Sequence, residues 1–117
     1  MKEIKDMVKI AYEALDDKMG EDIRVLDISS ISVMADYFII AHGNNSNHVR
    51  SLTDFTEEKL NKAGFETKNI EGNHKGSWVL MDFKDIIVHV FDKDSRVFYD
   101  LERIWADGKV IEDVNDL

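Results

Sequence analysis

The chain has 117 residues, a net charge of −9, 44% apolar and 33% charged residues, and neither cysteine nor proline. That length and balance fit one globular α/β domain with its own core, and the missing cysteine excludes a disulfide scaffold, a thiol nucleophile and thiolate metal sites. A negative field repels phosphate backbones and favours a basic partner; with no stretch near the roughly 20 apolar residues of a membrane span and no signal-type apolar region at the N-terminus, a cytoplasmic location is expected.

Residues 3–19 predict a helix, because Ile4, Met7, Val8, Ala11 and Leu15 fall on one apolar face. Gly20 suits a left-handed stop after it. Ile23 to Ile28 reads as a first strand, residues 29–34 as a connection, and Asp36 to Ala41 as a buried strand whose apolar run is nearly continuous. Gly43-Asn44-Asn45-Ser46 is turn chemistry, with Asn45 or Ser46 as the cap of a helix over about residues 47–63. Val49, Leu52, Thr53, Thr56, Leu60 and Ala63 line one face of that helix, and Gly64 ends it.

Phe65 to Ile70 reads as a strand near an edge, and Glu71 to Ser77 as a polar loop. Trp78 to Phe83 and Ile86 to Phe91 form a hairpin around Lys84-Asp85. A last helix is expected over about residues 94–105, capped by Asp94 or Ser95. The expected order is α-β-β-α-β-β-β-α on a mixed five-stranded sheet with flanking helices. One domain covers residues 1–108, and an acidic, mobile tail follows over 109–117.

His42, His48, His74 and His89 match no metal-binding spacing such as H-E-x-x-H, so neither metal nor cofactor is expected. Asp92-Lys93-Asp94 is a second candidate. Paired carboxylates at a strand end can hold magnesium for nucleotidyl transfer. The only candidate phosphate loop, Gly43 to Ser46, has one glycine and no following lysine. An acidic helix start explains both aspartates equally simply and is favoured. No G-x-S-x-G elbow is present. The expectation is a binding protein without catalysis, with a metal-dependent nucleotidyltransferase using Asp92 and Asp94 as the alternative.

The C-terminal third concentrates aromatic residues. Strand alternation puts Trp78, Leu80 and Asp82 on one face, and Val79, Met81 and Phe83 on the other. A face carrying both Trp and a carboxylate fits an interface, with an aromatic anchor and a polar rim. It fits core cover near a sheet edge as well. On the last helix, Phe98, Leu101 and Trp105 share an apolar face and are expected to meet the core, with Tyr99 and Arg103 on a flank.

Three ordered strings carry a resemblance: Trp78-Val79-Leu80-Met81-Asp82, Asp85-Ile86-Ile87-Val88-His89-Val90-Phe91, and Arg96-Val97-Phe98-Tyr99-Asp100-Leu101-Glu102-Arg103-Ile104-Trp105. With Val25 to Ile28, Ala35 to Ile40 and Gly43 to Val49, they resemble the ribosomal silencing factor family, also called Iojap-like, over about residues 3 to 107. One departure is Lys84, where the family usually has glycine in the hairpin turn. The resemblance implies a fold similar to nucleotidyltransferases, without transferase chemistry. It implies binding to the large ribosomal subunit through ribosomal protein uL14, which blocks joining of the small subunit and damps translation when nutrients are scarce. It further implies little direct nucleic-acid contact and a homodimer when free. By matching position, Trp78, Leu80 and Asp82 fall on the strand implicated in partner contact, with Arg96, Tyr99 and Glu102 on the helix that follows.

Overall fold

The computed structural model describes residues 4–72, 77–104 and 106–117. The first helix, α1 (Ile4–Asp17), buries Met7, Val8, Ala11, Ala14 and Leu15, the face its periodicity predicts. Its exit departs from expectation. Met19, not Gly20, takes the left-handed conformation, at φ 62°. The Gly20 amide then donates to the Leu15 carbonyl at 2.8 Å, the long bond that closes a helix end. A Cβ on Gly20 would stand 2.9 Å from that carbonyl oxygen, so glycine is needed there for close approach.

Strands β1 (Glu21–Asp27) and β2 (Tyr37–Gly43) pair antiparallel. Helix α2 (Ser46–Lys62) starts where the Asn45 side chain accepts the His48 amide at 2.8 Å. Gly64, at φ 97°, ends the turn after it. Strand β3 (Asn69–Gly72) is shorter and later than the expected Phe65–Ile70, because Phe65 still bonds back to the Leu60 carbonyl at the helix exit. Strands β4 (Trp78–Asp82) and β5 (Ile86–Asp92) form the expected hairpin, and the chain ends with α3 (Lys93–Tyr99), α4 (Leu101–Ile104), β6 (Lys109–Ile111) and a 3₁₀ turn over Val114–Asp116.

The sheet has six strands in the order β3-β4-β5-β2-β1-β6, not the expected five. The sixth comes from the segment read as a tail: Val110 and Lys109 pair with Leu26 and Asp27 of β1, and Ile111, Val114 and Leu117 pack against the core. Among the described strands only β2 and β5 run parallel, joined by a crossover that contains α2. Helices α1 and α2 cover one face, meeting Val25, Ile39, Met81, Phe83, Val88 and Val90. The opposite face holds a second cluster of Leu26, Phe38, Ile40, Ile87 and Phe91, closed by Ile28 and Ala35 from the connection and by Leu101.

At the hairpin turn Lys84 takes a conformation that glycine adopts more easily. Lys84 sits at φ 78°, a region that costs a side-chain-bearing residue about 1–2 kcal/mol. The Asp82 carboxylate accepts the Lys84 amide at 2.8 Å and holds that conformation. Lys84→Gly is expected to raise stability by about 0.5–1 kcal/mol, the relieved strain less glycine's added chain entropy. Chemical denaturation checks this, and a lower midpoint would contradict it.

The last helix is also corrected. Asp100 adopts a left-handed conformation (φ 46°, ψ 53°) and splits the expected single helix into α3 and α4. The change of axis removes the shared face of Phe98 and Leu101. Leu101 joins the second cluster, while Phe98 is 81% exposed and makes no core contact of the kind expected. Trp105, the third residue of that stripe, lies outside the described residues.

Candidate functional site

Trp78 lies half-buried on the second sheet face, opposite Phe91 in the β4–β5 register. Their rings stack at 5.2 Å between centroids, with 23° between planes. Tyr99, delivered by α3, tilts over the indole at 4.6 Å. Such pairs add about 0.5–1.5 kcal/mol each beyond area burial. The indole Nε1–H donates to His89 Nδ1 at 3.2 Å, so the one polar atom of Trp78 is satisfied within the fold.

His89 is the support beneath this tier. It is 3% exposed, and burial pushes its pKa down from 6.5 to about 4. The imidazole is therefore neutral at pH 7. An indole N–H can only donate, so Nδ1 carries no proton and the proton sits on Nε2. That Nε2 is buried without a hydrogen-bond partner among the described residues. The Phe38 ring meets the imidazole edge-on at 4.7 Å. Leu80 pairs with His89 across the strands and lies half-buried on the same face.

Glu71, Gly72, Trp78, Leu80 and Tyr99 enclose a cleft of about 280 Å³. Leu80 and the aromatic rings make it largely apolar, and Glu71 on the edge strand places a carboxylate at its rim. An arrangement of aromatic anchor, apolar lining and acidic rim suits a basic protein surface.

The structure brings Trp78, Leu80 and Tyr99 together around this cleft, while Asp82 lies farther along β4 with its carboxylate on the Lys84 amide. Arg96 departs from that set. It is 6% exposed and points toward His42 and Asp22, so it presents no group to a partner on this face. A charged residue in a helix reads as surface from sequence, and its pairing across 54 positions has no local signal. The side chain of Glu102 lies outside what the structure describes. Two residues lining the cleft were missed, Glu71 and Gly72, which were read as loop; Phe98, read as core, is exposed beside Tyr99. His89 was legible as a neighbour of Leu80 by counting the hairpin outward from its turn.

In the alternative site, Asp92 has a structural role. Asp92, rather than Asp94 or Ser95, caps α3, accepting the Ser95 amide at 2.8 Å. His48 Nδ1 accepts the Asn44 amide at 2.9 Å and its Nε2 donates to the Lys18 carbonyl at 2.8 Å. His42 bonds Glu21 and Arg96. His74 lies outside the described residues. Among the described residues no group of three or more His, Cys, Asp and Glu is placed to hold a metal ion, and no helix is long and apolar enough to cross a membrane.

The family described as "Ribosomal silencing factor during starvation" matches the chain over residues 1–117. A protein of Bacillus subtilis named ribosomal silencing factor RsfS is 42% identical over 108 residues, covering 92% of each chain. A protein of the same name from Halalkalibacterium halodurans is 37% identical with the same coverage. A crystal structure of a Chromobacterium violaceum protein, 37% identical, superposes with a TM-score of 0.87 over 90% of this chain and 88% of its own. This sequence, with its mixed sheet and flanking helices, belongs to the ribosomal silencing factor family.

Proposed function

We propose that this protein represses translation by occupying the large ribosomal subunit, seating the face of Trp78, Leu80 and Asp82, with Tyr99, against ribosomal protein uL14, so that the small subunit cannot join. The observation that carries this reading is Trp78 itself: half-buried, fixed by Phe91, His89 and Tyr99, and open to a cleft. A fixed aromatic loses little freedom on binding, which is what an interface anchor requires. The net charge of −9 speeds encounter with a basic ribosomal protein and disfavours direct contact with RNA. Occupancy alone blocks joining, so the proposed mode of action breaks no bond and calls for no cofactor. When free, the protein is proposed to pair with a second copy, as the family resemblance implies.

The proposal is tested by co-sedimentation with purified large and small subunits. Binding to the large subunit alone, weakened by salt, is the expected result; equal binding to both subunits would contradict it. Phe98 offers a sharper local check. Its ring meets Tyr99 edge-on at 5.1 Å and is otherwise open to solvent. Phe98→Ala is expected to leave stability within about 0.5 kcal/mol, as for an exposed site. It should weaken large-subunit binding by about 1 kcal/mol, as for residues near an anchor. A loss of stability without loss of binding would place Phe98 outside the interface.

A further inference from the structure

Arg96 is the most deeply buried cation among the described residues of an acidic protein, and its partners are specific. Its Nη1 donates to His42 Nδ1 at 3.0 Å and to the Glu21 carbonyl at 3.3 Å, and its Nη2 stands 3.7 Å from the Asp22 carboxylate. On the far side of the ring, His42 Nε2 lies 3.0 Å from the Glu21 carboxylate. A guanidinium can only donate, so His42 Nδ1 is unprotonated and Nε2–H donates to Glu21. The relay runs from α3 through the end of β2 to the start of β1. Burying an arginine is costly unless it is paired, and an apolar residue would pack a short helix more simply. Yet Val97 and Phe98 of α3 point outward, 75% and 81% exposed. A helix of seven residues does not hold its place alone. Its inward anchors are the Asp92 cap at one end, Arg96 in the middle and Tyr99 at the last position. Three residues beyond Arg96, Tyr99 lies over Trp78. The next residue, Asp100, donates its amide back to the Arg96 carbonyl at 3.0 Å.

We propose that Arg96, seated by His42 and Glu21, is a positioning residue for the docking face: it sets α3 at the angle that lays Tyr99 on Trp78, and never touches the partner. This inference rests on the docking role of the Trp78 face.

The test is Arg96→Met, which keeps the apolar stem and removes the guanidinium. Large-subunit affinity is expected to fall about tenfold, with unchanged far-ultraviolet circular dichroism and a shifted indole N–H resonance of Trp78, assigned with Trp78→Phe. Arg96→Lys, which keeps one donor toward His42, should recover affinity to within about threefold of wild type. In a Tyr99→Ala background, Arg96→Met should cost no more than about twofold, because both changes remove the same contact. A purely structural role would instead give additive losses, and that result overturns the proposal. Wild-type affinity of Arg96→Met beside a weakened Trp78→Ala also overturns it and leaves the docking face standing. Wild-type affinity in both variants removes the docking face itself. Should Arg96→Met fail to fold, Glu21→Ala removes only the outer end of the relay. It is expected to shift the Trp78 resonance and weaken binding about threefold, and wild-type values for both would overturn the proposal.

Discussion

Trp78→Ala is expected to weaken binding to the large subunit by about 2–4 kcal/mol, a fall of roughly 30- to 900-fold, the size seen for a central aromatic anchor. The indole contributes apolar area to the cleft and is held in place before binding by Phe91 and Tyr99. Truncation removes that area and frees Tyr99 from its support. It leaves His89 Nδ1 without the indole donor, so some stability is lost as well, about 1–3 kcal/mol for an unsatisfied buried acceptor and lost packing. Binding is therefore measured well below the unfolding midpoint, by co-sedimentation titration. Trp78→Phe separates the contributions: it keeps the stack on Phe91 and loses the hydrogen bond, and should fall between wild type and alanine. Equal affinity of Trp78→Ala and wild type would remove Trp78 as the anchor.

The second large effect is on stability against pH and comes from His89. Its folded pKa of about 4 lies below the 6.5 of an exposed histidine, because burial disfavours the charged ring. Below pH 6.5 the unfolded chain takes up a proton that the folded protein refuses. Stability is therefore lost as pH falls from about 6.5 to about 4, and the deficit levels off below that. A gap of about 2.5 pH units corresponds to roughly 3 kcal/mol. Carboxylates also titrate at the acid end of this window, so the measurement is a difference. Unfolding free energy is compared between wild type and His89→Gln at pH 7 and pH 4. The wild type should lose about 3 kcal/mol more than the variant over that interval. Parallel losses would show that His89 is not held neutral by the fold.

Much of this architecture was legible in the sequence, for reasons that differ by element. Helices α1 and α2 carry full apolar stripes, and β2 is a continuous buried run, so their periods decide their form. The hairpin of β4 and β5 follows from two apolar runs around a two-residue turn, and the period of a strand places Trp78, Leu80 and Asp82 on one face. Strand β3 carries no such pattern, because all four of its residues are exposed and it pairs through backbone alone. Strand β6 is three residues long between acidic neighbours, and only its pairing with β1 makes it a strand. The break at Asp100 is a single left-handed residue, and aspartate is compatible with both a helix and that conformation. Phe98 accordingly lies out of the core, and Arg96, turned inward by its pairing with His42, adds a second departure that no local pattern announces. The anchor of the candidate site was thus readable, while its flank depends on one backbone dihedral and one buried relay.

The measurement that tests the central claim most directly is subunit joining itself, followed by light scattering as large and small subunits are mixed after the protein is added. The amplitude of association should fall in proportion to the fraction of large subunits carrying the protein, should be unaffected when small subunits alone are preincubated, and should be restored by Trp78→Ala. Full association of subunits at a concentration where the large subunit is saturated with the protein would contradict the account.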